Sequence, residues 1–372
     1  MDLTNLITEL SKGFAAFTWG NAVMILVGLI LIFLAIVKEY EPVLLLPIGF
    51  GCLMANLGMS NQVGFMKVIY DAGISTELFP LLIFIGVGAM IDFSPLLSQP
   101  SMVLLGAAGQ FGIYGTLLLA LALGFPLNQA ASIGVIGAID GPTAIFVGTK
   151  LAPEIVAPIA VAAYSYMSLI PIIQPPIMKL MTTRRERLIR MEYSPKPVSR
   201  LTLIIFPILV TLLVALVAPD AAPLMAALML GNLLREALVV ERLSKMAQNE
   251  LINIATLFLG LAIGSTMTAE SFLNWSTLAI LGLGLLAFVI DTVAGLLFGK
   301  LMAVITHGKV NPLIGACGIS AFPMAGRLSA KMALEEDPSN FILMHAMGSN
   351  TAGQLGSVIA GGILLALVTG IP

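Results

Sequence analysis

Long apolar runs, interrupted by glycine, proline and short polar stretches, dominate the pattern of this chain. A helix needs about 20 predominantly apolar residues to cross the hydrocarbon core of a bilayer. By that measure the chain holds about ten to twelve membrane segments. We place them at 14–37, 42–57, 74–91, 101–125, 128–149, 153–181, 201–218, 221–234, 251–268, 275–306, 311–328 and 339–369. The pattern therefore predicts an all-α polytopic membrane protein.

The composition supports this class and excludes others. Charged residues make up 10% of the 372 residues and hydrophobic residues 58%, whereas about 25% of a soluble domain is charged. So few charges could not cover the surface of a soluble enzyme, and a disordered chain needs the opposite composition. The net charge of −2 gives no electrostatic basis for binding nucleic acid. Cys52 and Cys317 lie in apolar runs and indicate neither a disulfide framework nor a metal cluster.

A basic stretch between two apolar runs sets the expected orientation. Residues 182–200 carry six of the 18 lysines and arginines, and the positive-inside rule places such a loop in the cytoplasm. The loop is either a topological anchor alone or a docking surface for a soluble partner. Residues 1–13 lack the basic start of a signal peptide, so we expect the first segment to stay in the mature protein.

Two glycines and a proline recur at an interval of 181 residues. They are Gly134, Gly137 and Pro142 in the first half and Gly315, Gly318 and Pro323 in the second. We therefore predict two repeated membrane halves, 1–181 and 201–372, joined by the loop 182–200. Each half would contain a helix broken by glycine and proline, and we expect the halves to be inverted, as in secondary transporters. Glycine-rich segments also serve as plain packing surfaces, and the spacing alone leaves that alternative open.

Polar residues within these breaks suggest ion chemistry. Asp140 stands in an uncharged stretch, where a carboxylate costs about 2.5–3.5 kcal/mol on insertion scales. It either pairs with an arginine of another helix or joins Thr143 and freed carbonyls as oxygen ligands for a hard cation. In the second break Asn311 and Ser320 offer neutral oxygens. Arg327 could hold a carboxylate in bidentate fashion, or its side chain could merely reach the interface.

Further polar residues lie deep in apolar segments. Tyr166 lies in mid-segment, where a phenol is unfavourable unless it is hydrogen-bonded. Asn350 and His345 belong to a last segment that is polar enough to line a cavity. Asp291 interrupts the tenth segment without an adjacent break, so we expect a structural partner for it.

Six strings along the chain together resemble one family. They are Asp140-Gly-Pro-Thr-Ala-Ile, Tyr164-Ser-Tyr-Met, Pro171-Ile-Ile-Gln-Pro-Pro-Ile-Met, Gly231-Asn-Leu-Leu-Arg-Glu, Ser320-Ala-Phe-Pro-Met and Asn340-Phe-Ile-Leu-Met-His-Ala-Met. The resemblance covers nearly the whole chain and is to the membrane-integral beta subunit of the biotin-dependent sodium-pumping decarboxylases. Members of that family decarboxylate oxaloacetate, methylmalonyl-CoA, glutaconyl-CoA or malonate through partner subunits.

The resemblance implies an enzyme, a carboxybiotin decarboxylase subunit that couples CO2 release to sodium export and proton uptake. Sodium would be the transported ion, and carboxybiotin would arrive on a biotin carrier protein, with no biotin attached to this chain. The other implied partners are a carboxyltransferase alpha subunit, a small membrane gamma or delta subunit, further copies of this chain and the lipid bilayer. The location implied is the bacterial cytoplasmic (inner) membrane, which the chain would cross many times.

The resemblance also assigns roles to individual residues. Asp140 becomes the principal sodium ligand and the coupling carboxylate. The implied catalytic residues are Asp140, Tyr166 and Arg327, the implied sodium ligands are Asp140, Ser320, Asn350 and Asn311, and the implied carboxybiotin-binding residues are Arg327 and Asn311. Gly326 and Ser349 depart from the family pattern, which has alanine and proline there, but the key side chains stay in place.

One alternative fits the composition and the breaks equally well. It is a stand-alone sodium-coupled secondary transporter, either a sodium–carboxylate symporter or a sodium/proton antiporter. Only the six strings favour the decarboxylase subunit over it.

Overall fold

This computed structural model describes residues 17–192 and 197–370, and all regular structure in that part of the chain is helical. The all-α class is therefore confirmed. The signal-peptide expectation for residues 1–13 and the basic residue Lys196 lie outside the described residues. The helices are α1 (Trp19–Val37), α2 (Pro42–Asn56), α3 (Gly64–Tyr70), α4 (Leu78–Met90), α5 (Ser94–Ser98), α6 (Met102–Ala108), α7 (Phe111–Ala122), α8 (Leu127–Gly134), α9 (Gly141–Leu151), α10 (Val156–Met181), α11 (Arg184–Arg187), α12 (Arg200–Val217), α13 (Ala222–Ala237), α14 (Glu241–Met246), α15 (Ile252–Ser265), α16 (Ala269–Phe272), α17 (Trp275–Ile305), α18 (Met324–Glu336) and α19 (Leu343–Thr369).

The count of spans is lower than the ten to twelve segments expected from the sequence. Within the described ranges, six helices are long and apolar enough to cross a membrane, and eight if each of two bent pairs is one span. The six are Trp19–Val37, Met102–Ala122, Arg200–Val217, Glu241–Ser265, Trp275–Ile305 and Leu343–Thr369. Of these, Met102–Ala122 comprises α6 and α7, and Glu241–Ser265 comprises α14 and α15. The difference arises because predicted segments such as 128–149 and 311–328 are broken into short helices.

The chain divides into two compact units, the first formed by the residues up to Phe79 and by Asn253–Ala279. In this unit α1 and α2 pack backbone to backbone. A Cβ on Gly28 would lie 2.9 Å from the carbonyl oxygen of Gly49, so only glycine permits this approach. The amide of Asn56 donates to the carbonyl of Met267 at 2.8 Å.

The second unit comprises Pro80–Ile252 and the chain from Ile280 onward, and it contains the predicted breaks. Helix α19 carries a buried polar face within this unit. The buried polar residues of α19 are His345, Ser349, Asn350, Thr351, Gln354 and Ser357. By contrast, α12 leaves most of its apolar surface exposed, as suits a helix in contact with lipid.

A proline shapes helix α10 in the second unit. Helix α10 bends by 62° between Met167 and Leu169. Pro171 lacks the amide hydrogen that would bond the carbonyl of Met167, which explains a bend at this point.

The division into halves at 1–181 and 201–372, and the inversion of those halves, stay predictions.

Candidate functional site

The first break places Asp140 at the start of a helix. A 3₁₀ segment, Val135–Ala138, ends at Ile139, whose φ of 54° lies in the left-handed region. The chain then leaves the helical path, and extended Asp140 caps α9 with its Oδ1 atom accepting from the Thr143 amide at 3.4 Å. Pro142 lies in the first turn of α9, where its missing amide hydrogen costs nothing. The Gly-Pro sequence after Asp140 thus fixes its carboxylate at the N-terminal end of α9, where the helix dipole is positive.

The second break meets the first. Its 3₁₀ segment, Pro312–Cys317, is followed by an irregular stretch before α18 begins at Met324. Within that stretch, the amide of Ser320 donates to the carbonyl of Ala138 at 3.2 Å. The two breaks predicted from glycine and proline spacing are therefore in direct contact.

The carboxylate of Asp140 is 5% exposed and receives donors from two helices. Its Oδ2 atom accepts from the Thr143 hydroxyl at 2.8 Å on α9. It also accepts from the Gln354 amide at 2.9 Å and the Ser357 hydroxyl at 3.0 Å, both on α19. Burial disfavours the ionised carboxylate and these hydrogen bonds oppose that effect, so a bound cation would stabilise the charged form further.

Gln354 and Ser357 were missed by the sequence reasoning, although a signal was present. Asn350, Gln354 and Ser357 follow the spacing i, i+4 and i+7, which places three polar residues on one helical face. In an apolar segment such a face indicates a buried polar partner. That partner is Asp140.

Ser320 and Asn350 join the second break to α19, and their roles as sodium ligands stay predictions. The Ser320 hydroxyl donates to the carbonyl of Gly353 at 3.1 Å, and the Asn350 amide donates to that of Ile319 at 2.6 Å. The Oδ1 atom of Asn350 is buried without a hydrogen-bond partner in the described part of the chain. It is thus a neutral oxygen with lone pairs available for a cation.

Gln110, at the junction of α6 and α7, is a second residue that the sequence reasoning missed. Its amide nitrogen donates to the carbonyls of Gly106, Gly318 and Gly353 at 3.0, 3.3 and 3.3 Å. Its Oε1 atom is buried, with no partner among the residues described. Gln110 therefore ties α6 to the second break and to α19.

The oxygen donors favour a monovalent cation. The part of the chain that the structure describes contains no group of three or more His, Cys, Asp or Glu side chains placed to hold a metal ion. One carboxylate with the hydroxyl oxygens of Thr143 and Ser357 beside it provides a single negative charge, which balances a singly charged hard cation better than a divalent one.

The structure does not bring Tyr166 to Asp140. The Tyr166 hydroxyl donates to the carbonyl of Leu281 on α17 at 2.5 Å. It is instead the ring of Tyr164 that packs on the Asp140 segment, since a Cβ on Gly141 would overlap that ring. The proton role of Tyr166 stays a prediction.

Asn311 also lies apart from Asp140. Its Oδ1 atom accepts from the Leu313 amide at 3.0 Å and caps the 3₁₀ segment. Its Nδ2 atom donates to the carbonyls of Arg187 and Ile189 in the basic loop, at 3.0 and 2.8 Å. These contacts make Asn311 a tether for the loop, and its sodium and biotin roles stay predictions.

The basic loop is bound to the end of α18. Arg187 pairs with Glu336 at 2.7 Å and Arg190 pairs with Asp337 at 2.7 Å. The hydrogen bond from Arg187 holds the pKa of Glu336 below its usual range. The positive-inside rule predicts that this end of the molecule faces the cytoplasm, and that orientation stays a prediction.

Arg327 lies in α18, between the second break and this cytoplasmic end. Its side chain is exposed and forms no ion pair with any residue in the described ranges. It lines a cavity of about 310 Å³ together with Phe322 and Pro323, the last residues of the second break. A cation without an ion pair among the described residues, in a cavity beside the break, suits a small anion.

Known proteins similar to this chain are decarboxylase subunits. The model of the family described as Na+-transporting oxaloacetate decarboxylase beta subunit matches residues 20–368. The methylmalonyl-CoA decarboxylase subunit beta of Veillonella parvula is 53% identical over 358 residues, covering 96% of both chains. The glutaconyl-CoA decarboxylase subunit beta of Acidaminococcus fermentans is 51% identical over 371 residues, covering 99% of this chain and 98% of that one. The oxaloacetate decarboxylase beta chain of Klebsiella pneumoniae is 47% identical over 413 residues, covering 94% and 95%.

These comparisons and the apolar helices lead to the same conclusion. The helices that could span a bilayer occur in a family of sodium-transporting membrane subunits, so the chain is a multi-pass protein of the bacterial cytoplasmic membrane. The match extends over almost all of the sequence and agrees with the resemblance seen in the six strings. The chain belongs to the family of beta subunits of the sodium-transporting decarboxylases.

Proposed function

We propose that this chain is the subunit in which carboxybiotin is decarboxylated, and that CO2 release drives sodium export with proton uptake. Family membership supports the reaction class. One observation in the structure supports the coupling above all others. The buried carboxylate of Asp140 lies where two broken segments and α19 meet, with the hydroxyl oxygens of Thr143 and Ser357 at 2.8 and 3.0 Å from it.

The chemistry at the cytoplasmic cavity requires a cation and a proton. In carboxybiotin the bond between a ring nitrogen and the carboxyl carbon breaks, CO2 leaves, and the electron pair stays on the nitrogen. That nitrogen must then gain a proton. Arg327 binds the carboxylate of the incoming carboxybiotin and orients it in the cavity.

Sodium and the proton compete for Asp140. The ionised carboxylate binds sodium together with Ser320 and Asn350. A proton that reaches Asp140 from the outer side removes the negative charge, so sodium is released outward and the proton continues to the biotin nitrogen. Tyr166 belongs to this proton route in our proposal. The inward proton offsets the charge of the outward sodium ion, so decarboxylation must supply the work against the sodium concentration gradient, and about 2.3 kcal/mol per 100 mV for any sodium ion that is moved without a proton.

The soluble part of the reaction belongs to other subunits. We propose that a biotin carrier protein delivers carboxybiotin, that a carboxyltransferase alpha subunit loads it, and that a small gamma or delta subunit and further copies of this chain complete the complex. The acid or acyl-CoA that is decarboxylated is then chosen by the carboxyltransferase.

The experiment is to purify this chain with its partners from native membranes and to measure sodium-dependent decarboxylation with and without avidin. Avidin binds biotin, so we expect it to abolish both decarboxylation and sodium transport. Sodium transport by the chain alone, insensitive to avidin, would overturn the proposal in favour of a stand-alone sodium-coupled transporter.

A further inference from the structure

The cavity that holds Arg327 also holds a second arginine. Arg235 lies in the last turn of α13 and lines the same cavity of about 310 Å³. Asp92, which follows the end of α4, lines the cavity as well. The proposed function gives neither residue a role.

The contacts of Arg235 leave it able to bind a ligand. Its Nη1 atom donates to the carbonyl of Met90 at 2.9 Å. Its distances to the carboxylates of Asp92 and Glu236 are 3.5 and 3.4 Å, longer than the 2.7–2.9 Å of a strong charge-assisted hydrogen bond. About a third of the side chain is exposed. The hydrogen bond to Met90 therefore holds the guanidinium in place. Its other N–H groups make only long contacts with Asp92 and Glu236, so they can donate to a ligand.

The site lies at the cytoplasmic end of the molecule. Arg200, the last residue of the basic loop and the first of α12, donates to the carbonyl of Ala237 at 3.0 Å. Ala237 is two residues beyond Arg235, so the cavity and the basic loop lie at the same end. A soluble carrier can therefore present its ligand to Arg235 and Arg327 from the same side.

The cavity walls fit a compact ring with one polar edge. Met344 and Met347 of α19, with Phe322, form an apolar wall. Methionine side chains adapt their shape to an apolar ligand, and a few fixed polar groups then set its orientation. In this cavity the polar groups are Arg327, Arg235 and Asp92.

We infer that Arg235 and Asp92 bind the ureido ring of carboxybiotin while Arg327 binds its carboxylate. The ring has a carbonyl oxygen, which accepts from Arg235, and a remaining N–H group, which donates to Asp92. When the bond between nitrogen and the carboxyl carbon breaks, the electron pair left on nitrogen delocalises onto the ureido oxygen. Arg235 stabilises that charge until the nitrogen gains its proton. This assignment rests on the proposed function.

The test uses the complete complex with a biotin carrier that has been carboxylated beforehand with labelled bicarbonate. The variants are Arg235→Gln, Arg235→Lys and Asp92→Asn, with Arg242→Gln as the matched control because Arg242 is exposed on α14 and does not line the cavity. The rate of labelled CO2 release, the half-saturating carrier concentration and the half-saturating sodium concentration are measured for each.

We expect Arg235→Gln to slow CO2 release by about tenfold or more, since one donor to a developing oxyanion is worth about 10²–10³ in rate when fully buried. Arg235→Lys should keep part of the rate, Asp92→Asn should raise the half-saturating carrier concentration, and sodium half-saturation should not change. A CO2-release rate for Arg235→Lys and a half-saturating carrier concentration for Asp92→Asn that both equal those of the control would overturn the inference, even if Arg235→Gln fails to assemble. Failure of the unmodified complex to release CO2 from the carrier would overturn the proposed function instead.

Discussion

The substitution Gln354→Met tests whether α19 supports the sodium-binding form of Asp140. Gln354 reaches the Oδ2 atom of Asp140 with its amide nitrogen at 2.9 Å, and both residues are buried. Methionine has a similar volume and no hydrogen-bond donor, so the change removes one hydrogen bond with little effect on packing.

The geometry sets the size of the expected effect. A hydrogen bond to a charged group is worth about 1.5–3 kcal/mol. The Thr143 hydroxyl at 2.8 Å stays in place, so we take the lower end of that range. The Ser357 hydroxyl is shared between Asp140 and the carbonyl of Gln354, so it cannot fully replace the lost donor. A loss of about 1.4 kcal/mol corresponds to a tenfold change in affinity.

The assay is the sodium dependence of decarboxylation by the complete complex at constant pH. We expect Gln354→Met to raise the half-saturating sodium concentration about tenfold, since sodium binds the ionised carboxylate that Gln354 stabilises. Ser349→Ala is the matched control because the Ser349 hydroxyl, on the same helix, has no hydrogen-bond partner in the described part of the chain. Equal sodium half-saturation for the two variants would refute the reasoning.

Three further predictions concern the break, the basic loop and the proton route. Gly318→Ala would overlap the carbonyl of Leu105, so we expect it to destabilise the protein by about 1–3 kcal/mol and lower its Tm; an unchanged Tm would contradict this. The hydrogen bond from Arg187 lowers the pKa of Glu336. This contact therefore stabilises the fold fully above the usual glutamate pKa of about 4.3, and the stabilisation is lost as the pH falls from there through the lowered pKa. Glu336→Gln should therefore raise hydrogen exchange in the basic loop at pH 7, and unchanged exchange would refute the ion pair's role. Tyr166→Phe should alter the pH profile of decarboxylation. An unchanged profile with a lower Tm would contradict the proton role and show that the Tyr166 hydroxyl only stabilises the fold through its hydrogen bond to α17.

The breaks were predictable because they depend on local chemistry. Glycine and proline interrupt helices wherever they are packed, so the sequence located the segments that contain Asp140 and Ser320. An ionisable residue in an apolar segment indicates function for a similarly local reason, the cost of burying a charge. The resemblance to the decarboxylase family then supplied the reaction, which the comparisons support.

The partners of these residues depend on packing, which the sequence does not show. Tyr164 and Tyr166 are two positions apart and so point in different directions from one helix, and only the structure shows that Tyr164 contacts Gly141. Asn311 precedes a proline, which is a common signature of a helix cap. Its Oδ1 atom does cap the 3₁₀ segment, by accepting from the Leu313 amide, so the local signal was informative. Gln110 was missed because it lies at a junction between α6 and α7 that has no proline to mark it.

The most direct test of the central claim replaces Asp140 itself. The complex is reconstituted in proteoliposomes with its partner subunits, and sodium uptake and CO2 release are measured together for Asp140→Asn. The matched control is Asp291→Asn. Asp291 is a second buried carboxylate, and its Oδ1 atom accepts a hydrogen bond from the Gly112 amide at 3.0 Å, which an asparagine oxygen can also accept. We predict that Asp140→Asn abolishes both sodium uptake and sodium-dependent CO2 release, while the control retains them. Normal pumping and decarboxylation by Asp140→Asn would contradict the account.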